Sequence, residues 1–368
     1  EAVAVVVLKR LSKAVADGDP IRAVILGSGV NNDGRSNGIT APNALAQTDL
    51  IRRVWNEGGV DAADVGHVVT HGTGTRLGDP VEVNALAEVF DGAGRPAGAD
   101  GPWCALTSTK PAFGHTLAPS GLVSLVGLVA GLEHETIPAS AHCLQESDFI
   151  AWNRVPFFVN KLSRPWPRDE GRARIGAVSS FGMSGTNAHL VLRDPTRQEA
   201  GRDVSRPDAP AAVIAVSGKT EEAVEARVRE LRQALADRSA SMLSLDSVSL
   251  TLLDGRYHFP FRRAVVVAGL DDAAEALASA GTVRMPKEAK DTECKARVRD
   301  ILDRADELRR DRDRWTAALE ELRQLWLQGY DIAWHRLFGD RPPRRVRLPG
   351  YPFAREEYWP KRPGASAA

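Results

Sequence analysis

The sequence predicts an α/β protein followed by a second, smaller α/β unit, and three observations carry that reading. Short Val/Ile-rich runs alternate with helical patterns from residue 1 to about residue 192, as in a sheet covered by helices. Residues 193–210 then turn polar, with Pro195, Pro207 and Pro210, and mark a boundary. Beyond it, strand and helix patterns resume on a smaller scale and end in a Pro- and Arg-rich stretch. The domains read as 1–193, a connector 194–209, a flanking unit 210–340 and a tail 341–368. A chain of 368 residues with 43% hydrophobic content can build two such cores.

In chain order, residues 2–8 and 22–26 read as covered strands. Residues 43–57 read as a helix after Pro42, closed by Gly58-Gly59. Residues 66–70 form a strand that delivers His71 at its end. Asp79 as N-cap and Pro80 at the first helical position open a helix to Phe90. Residues 91–101 read as a loop, 104–107 as a strand, and Pro119 opens an apolar helix. That helix carries Ser120 and Ser124 and falls short of the roughly 20 apolar residues a bilayer requires, so it reads as buried. Strands at 175–179 and 187–192 flank the turn Gly182-Met183-Ser184-Gly185.

In the second unit, residues 211–216 read as a strand. Thr220 caps a helix with Glu221 and Glu222 in its first turn and Val224, Val228, Leu231 and Leu235 on one face. A strand at 263–268 and a helix opened by Asp271 follow. Residues 300–328 read as one long helix with Trp315, Leu319, Leu322 and Trp326 on a stripe. The tail, with Tyr351, Phe353, Tyr358 and Trp359, reads as extended and docked through its aromatics. An immediate β-type run at residue 2, without a polar lead-in, suggests an N-terminal part outside these residues.

Lys+Arg and Asp+Glu balance at 48 each, which gives no net attraction to nucleic acid or an anionic membrane. Three unpaired cysteines, Cys104, Cys143 and Cys294, argue for a reducing cytoplasm and against a disulfide framework or a zinc site. No metal site is predicted. Leu245-Asp246-Ser247 lacks the preceding glycine of a carrier-protein attachment serine, and Gly27-Ser28-Gly29 lacks the third glycine of a dinucleotide loop.

Three segments combine Gly, His, Lys and hydroxyl residues as a bland core would not. They are His71-Gly72-Thr73-Gly74-Thr75, then Ser108-Thr109-Lys110 with Gly114-His115-Thr116, and Ser179 to His189 with its Gly-rich turn. Alternating Gly and Thr after a strand-end histidine leave backbone and hydroxyl groups open to a ligand. His67, His134, His142, His258 and His335 read instead as satisfied core or surface residues.

These segments carry a resemblance. HGTGTRLGDPVEV (71–83), STKPAFGHT (108–116), SSFGMSGTNAHLVL (179–192) and VNNDGRSNGITAPN (30–43) resemble, in order, the signatures of polyketide- and fatty-acid-synthase ketosynthases. The resemblance implies the C-terminal half of a thiolase-like layered α/β/α/β/α fold, followed by a smaller α/β linker domain and an extended tail. TIPASAHCLQESDFIAW (136–152), PFFVNKLSRPWP (156–167) and LPGYPFAREEYWP (348–360) resemble modular ketosynthases whose acyltransferase acts in trans. Residues 193–347 are too few for an integrated acyltransferase.

By resemblance, His71 and His115 are catalytic donors and Lys110 positions His115. Thr73 and Thr75 bind the phosphopantetheine arm of an acyl carrier protein, and Phe181 with Gly182 forms a gate. No cofactor is bound directly. The nucleophilic cysteine is expected in a missing N-terminal half, so this chain alone should not condense anything. Implied partners are that half, the carrier protein, a trans-acting acyltransferase and a second copy in a homodimer, with no nucleic acid or membrane. The alternative is a non-catalytic docking module of the assembly line. A degradative thiolase would need a cysteine where Met183-Ser184 stands.

Overall fold

The computed structural model describes residues 1–36, 38, 40–91, 94, 96, 100–168, 171–196, 198–199, 209–236, 243–286, 291–339, 342–356 and 358. Most of the predicted connector, part of the 91–101 loop and Trp359 of the tail lie outside the described residues. The chain divides into two compact units, Glu1–Val15 with Ile21–Arg202, and Ala16–Pro20 with Asp203–Ala368.

In chain order the first unit contains α1 (Leu11–Ala16), β1 (Val24–Asn32), α2 (Ala44–Gly58), β2 (Val65–Val69), α3 (Gly78–Phe90), β3 (Cys104–Thr107) and α4 (Lys110–Phe113). Then come α5 (Ser120–Glu133), β4 (Thr136–Ile137), β5 (Phe157–Val159), β6 (Arg164–Pro165), β7 (Ile175–Phe181) and β8 (Thr186–Arg193). Six strands form one mixed sheet in the order β1-β8-β7-β2-β3-β5, while β4 and β6 pair separately. β7, β2, β3 and β5 run parallel, whereas β8 is antiparallel to both β7 and β1.

Helices cover both faces of this sheet. On one, Leu50, Ile51, Val54 and Trp55 of α2 join Val83, Leu86 and Phe90 of α3 against Val65, Val68 and Cys104. On the other, Leu125, Leu128 and Leu132 of α5 meet Val69, Ala105 and Val178. Successive sheet residues thus face opposite layers, and with both layers apolar the strands read as unbroken hydrophobic runs. The helix expected over 43–57 runs from Ala44 to Gly58: Asn43 caps it by accepting from the N–H groups of Leu45 and Ala46, and Gly59 ends it in the left-handed region. Gly27 lets α2 approach, since a Cβ there would sit 2.4 Å from Val54 O.

Several sequence expectations change. Residues 2–8 are in no sheet: no described strand pairs with them, and Val3, Val5 and Val7 are 95%, 82% and 92% exposed. A β-type run without a partner has no ladder to satisfy its backbone. The next strand runs through the glycines to Asn32, because β8 supplies a full-length partner with a register shift at Ile25/Gly27. α3 begins at Gly78, and Asp79 is not its cap; the Asp79 carboxylate instead accepts from Gly74 N–H.

The second unit contains β9 (Ala212–Gly218), α6 (Glu221–Ala236), α7 (Leu245–Leu253), β10 (Phe261–Val267) and α8 (Leu270–Ser279). β11 (Val283–Arg284), α9 (Thr292–Asp303), α10 (Ala305–Leu308) and α11 (Arg312–Leu327) complete it. The strands form an antiparallel sheet in the order β11-β10-β9. β9 sends Ala212, Ile214 and Val216 toward α6 and α8, and Val213 and Ala215 toward Trp315, Leu319, Leu322 and Trp326 of α11. Thr220 Oγ1 accepts from Ala223 N–H at the start of α6. The long helix predicted at 300–328 is three helices. Arg304 leaves helical geometry at φ −106°, and Asp311, extended at φ −119°, caps α11 through Asp313 and Arg314 N–H. In the tail, Tyr351 packs on Phe259 with ring centroids 4.9 Å apart, while Phe353 and Tyr358 are exposed.

Candidate active site

Parallel strands bring the three sequence motifs together. β7, β2 and β3 end side by side, at Phe181, Val69 and Thr107, and the residues just past those ends form one cluster. Residues at the carboxyl ends of parallel strands are where α/β sheets present chemistry. The His71 ring lies 5.9 Å from the His115 ring at 81°, and 5.8 Å from the Phe181 ring.

The backbone around His71 is tightly held. Thr70 N–H donates to Thr107 O at 2.9 Å, and Ser108 Oγ donates to Gly72 O at 3.1 Å. Gly72 adopts φ +44°, and a Cβ there would meet Thr70 Oγ1 at 2.6 Å, so no other residue fits. Lys110 Nζ donates to His71 O. Glu82, 3% exposed, accepts from His71 N–H at 2.7 Å and from Gly72 N–H at 2.9 Å.

Electrostatics follow from this geometry. Burial, then Lys110 and His115, lowers the His71 pKa to about 4. Desolvation, then Lys110, also lowers that of His115. Both imidazoles are therefore neutral at pH 7, and each carries one N–H. For His115 the tautomer is fixed: Nδ1 accepts from Leu117 N–H at 3.1 Å, so the proton is on Nε2. Leu117 delivers that N–H from a left-handed backbone at φ +59°. His71 Nδ1 is buried without a hydrogen-bond partner among the described residues.

Lys110 is lowered by burial, opposed by Glu82 and Asp79. Burial pushes the Glu82 carboxyl up to about 7 against the pull of its two backbone donors and Lys110. Asp79 is raised by burial, opposed by the N–H groups of Gly74, Thr75 and Thr73 and by Lys110. Two neutral N–H donors, with a cation behind one of them, suit a site that stabilises negative charge developing on a bound group.

The structure brings His71, His115, Lys110 and Phe181 together as one cluster. Thr73 makes no side-chain hydrogen bond among the described residues, whereas Thr75 Oγ1 accepts from Gly78 N–H at 3.0 Å and closes the turn. Gly182 N–H is spent on Thr186 O at 2.7 Å within the β7–β8 hairpin. A cleft of about 560 Å³ backs onto the cluster, lined by Gly72, Thr75, Asp79, Glu82, Ser108 and Phe149 among others. Neither histidine ring lines it.

Sequence reasoning missed Glu82 and Leu117. Glu82 stands three residues after Asp79, hence on the same side of α3, which was the available signal. His67 is a core residue, as expected, and His189, which the sequence grouped with the Gly-rich motif, is buried in the core as well. His67 Nε2 meets Thr107 Oγ1 at 2.8 Å, and His189 Nε2 accepts from Trp55 Nε1 at 2.8 Å. Cys104 is fully buried in β3, and burial raises its thiol pKa far out of the reactive range.

A mixed sheet of this order, with a histidine pair and lysine past its parallel strand ends, defines a thiolase-like ketosynthase half. Residues 22–144 match the family described as "Beta-ketoacyl synthase, C-terminal domain", and residues 146–266 match "Ketoacyl-synthetase C-terminal extension". The chain belongs to the beta-ketoacyl synthases of polyketide synthases, as a C-terminal ketosynthase domain with its C-terminal extension.

Polyketide synthase ThaG of Burkholderia thailandensis is 44% identical over 386 residues, covering 100% of this chain and 7% of that protein. PksM of Bacillus subtilis is 34% identical, covering 98% and 8%. Among solved structures, the ketosynthase from module 6 of the bacillaene synthase of Bacillus subtilis has a TM-score of 0.79 at 30% identity. It covers 95% of this chain and 60% of that one. An oxazolomycin ketosynthase domain from Streptomyces albus gives a TM-score of 0.74 at 30% identity, covering 95% and 56%. The chain thus spans under a tenth of these curated synthases and about three fifths of these solved ketosynthase chains. Among the described residues, no helix is long and apolar enough to cross a membrane.

Proposed function

We propose that this chain supplies the decarboxylation and enolate-stabilising half of a ketosynthase that performs decarboxylative Claisen condensation. An acyl chain is held as a thioester on a cysteine, and malonyl arrives on the phosphopantetheine arm of an acyl carrier protein. The bond between the malonyl carboxylate carbon and Cα breaks, carbon dioxide leaves, and the electron pair passes into the thioester as an enolate. The enolate Cα then attacks the acyl carbonyl, a carbon–carbon bond forms, and the carbon–sulfur bond breaks to release cysteine thiolate.

The observation that carries this reading is the His71–His115 pair, 5.9 Å apart between ring centroids, with the His115 proton held on Nε2. Neutral imidazole N–H groups stabilise an enolate oxygen without surrendering a proton, and donors already oriented cost no reorganisation. Lys110 holds the His71 carbonyl and keeps the local field positive. Thr73 and Thr75 contact the pantetheine arm, with Phe181 and Gly182 at the gate. The nucleophile comes from outside these residues: Cys104 is sealed in a strand, and among the described residues the Cys143 thiol meets Gln145 O and the Cys294 thiol meets Asp291, neither of them a histidine or lysine activator.

The class with a trans-acting acyltransferase is favoured by the small three-stranded α/β unit that the described residues between 212 and 338 form, where an integrated acyltransferase would need several hundred residues. The assembly works in the cytoplasm as a homodimer with carrier protein and acyltransferase as partners. The test combines this chain with a cysteine-bearing ketosynthase N-terminal half and follows the products by mass spectrometry. An acyl adduct on that cysteine, then a β-ketoacyl carrier protein two carbons longer, is expected. An adduct that never elongates would overturn the reading in favour of a docking module.

A further inference from the structure

The sequence predicts that α5 is buried, yet the structure covers only one side of it. Leu125, Leu128 and Leu132 face the sheet. Leu122 and Val126, four residues apart and hence on one stripe, stay 36% and 48% exposed. No Asp, Glu, Lys or Arg occurs anywhere from residue 111 to residue 132. A helix with no charged side belongs in an interior, because a solvated face carries polar and charged residues.

The outer stripe runs into the histidine cluster. Phe113 and Leu117 are exposed on either side of His115, which is itself exposed. Leu117 O accepts from Ser120 N–H at 3.0 Å, which ties that segment to the first turn of α5. A Cβ on Gly121 would lie 2.9 Å from Ser180 Oγ, so the same turn sits against the end of β7, beside Phe181 and the exposed Met183. Phe113, Leu117, Leu122, Val126 and Met183 thus surround His115 with uncharged, apolar surface. A preorganised donor stabilises developing charge best where water is excluded, and here His115 faces water.

Two deficits share this face: an apolar surface without cover and a site without a nucleophile. The solved ketosynthase chains leave about two fifths of their length unmatched by this one, enough to form such a cover. We infer that the outer face of α5, with Phe113, Leu117 and Met183, is the surface on which the cysteine-bearing half seats, and that seating dries His115. The partner presents an uncharged apolar face with the thiol at its rim. The inference rests on the condensation reading for the identity of the partner, though not for the surface itself.

Co-expression of the chain with a ketosynthase N-terminal half whose cysteine is replaced by alanine, followed by sedimentation of the purified material, tests it. A one-to-one complex is expected. Leu122→Glu and Val126→Glu should each weaken it about a hundredfold, as an unpaired charge buried at an interface implies. Both side chains are already partly exposed, so the unfolding midpoint of the chain alone should not move. Leu45→Glu, at another exposed apolar position but on α2 in the opposite layer, should leave the complex intact. No complex, a complex indifferent to both α5 variants, or one lost equally with Leu45→Glu overturns the inference. So does self-association of the chain through this face that an excess of the half does not displace, which assigns the face to a second copy. With the cysteine restored, a complex that forms through this face yet makes no β-ketoacyl product upholds the surface and counts against the condensation reading alone.

Discussion

Replacing Gly72 by alanine tests how the first motif holds its histidine. Two separate costs arise at this position. The backbone sits at φ +44°, where an L-residue pays about 1 kcal/mol. The new methyl would also lie 2.6 Å from Thr70 Oγ1 and 3.1 Å from Ser108 Cβ, overpacking worth about 1–3 kcal/mol. Together Gly72→Ala should cost about 2–4 kcal/mol. Gly74 provides the control, since it adopts φ +73° with nothing within 4 Å of an added Cβ. Gly74→Ala should therefore cost only the backbone part, about 1 kcal/mol. Urea unfolding of both variants separates crowding from backbone strain, and Thr70→Ala in the Gly72→Ala background should recover part of the difference. If Gly72→Ala costs no more than Gly74→Ala, the tight approach of Thr70 and Ser108 to the His71 turn is not as described.

Three further outcomes follow from the site and the core. Glu82 titrates near 7 in the folded chain against an ordinary 4.5, so the folded state keeps a proton that the unfolded state releases. Stability should fall as pH rises from about 4.5 to 7, and Glu82→Gln should remove that component of the slope in urea unfolding across the range. His67 and His189 have the opposite sign: burial lowers both to about 3, so the unfolded state binds protons first. Stability should fall as pH drops below 6.5, by up to about 1.4 kcal/mol per pH unit for each, and His189→Gln should flatten the acid limb. Nitrogen-15 NMR should find His115 protonated on Nε2, and Leu117→Gly should preserve that tautomer while stabilising the chain by about 0.5–1 kcal/mol, because a left-handed leucine is relieved.

The elements that sequence alone located are those with local punctuation. Asn43 and Gly59 bracket α2, the hairpin turn at 182–185 joins β7 to β8, and Val/Ile runs flanked by glycine mark the central strands. Expectations failed where the deciding partner is distant. Residues 2–8 have strand propensity but no described strand beside them, and the helical pattern of 300–328 conceals a break that Asp311 makes by capping the next helix. α7 went unread because Ser244, Ser247 and Ser249 masked its apolar content; they bond to one another's turn and to Val213 O.

The histidines, lysine and phenylalanine of the site were legible as motifs, since each lies at or beyond a strand end. Their mutual placement needed the parallel order of β7, β2 and β3. The Glu82 contact had only its spacing from Asp79 as a sequence signal, and the Leu117 contact had none. One depends on which face of α3 turns inward, and the other on a left-handed backbone that no propensity signals for leucine.

The central claim is that the His71–His115 pair stabilises an enolate independently of the cysteine. Carbon dioxide release from malonyl-acyl carrier protein measures this directly, in a ketosynthase assembled from this chain and an N-terminal half whose cysteine has been replaced. Release is expected to persist without the cysteine and to fall about a hundredfold or more with either His71→Ala or His115→Ala, as removal of a preorganised donor implies. Release that requires the cysteine, or that survives loss of both histidines, would contradict the account.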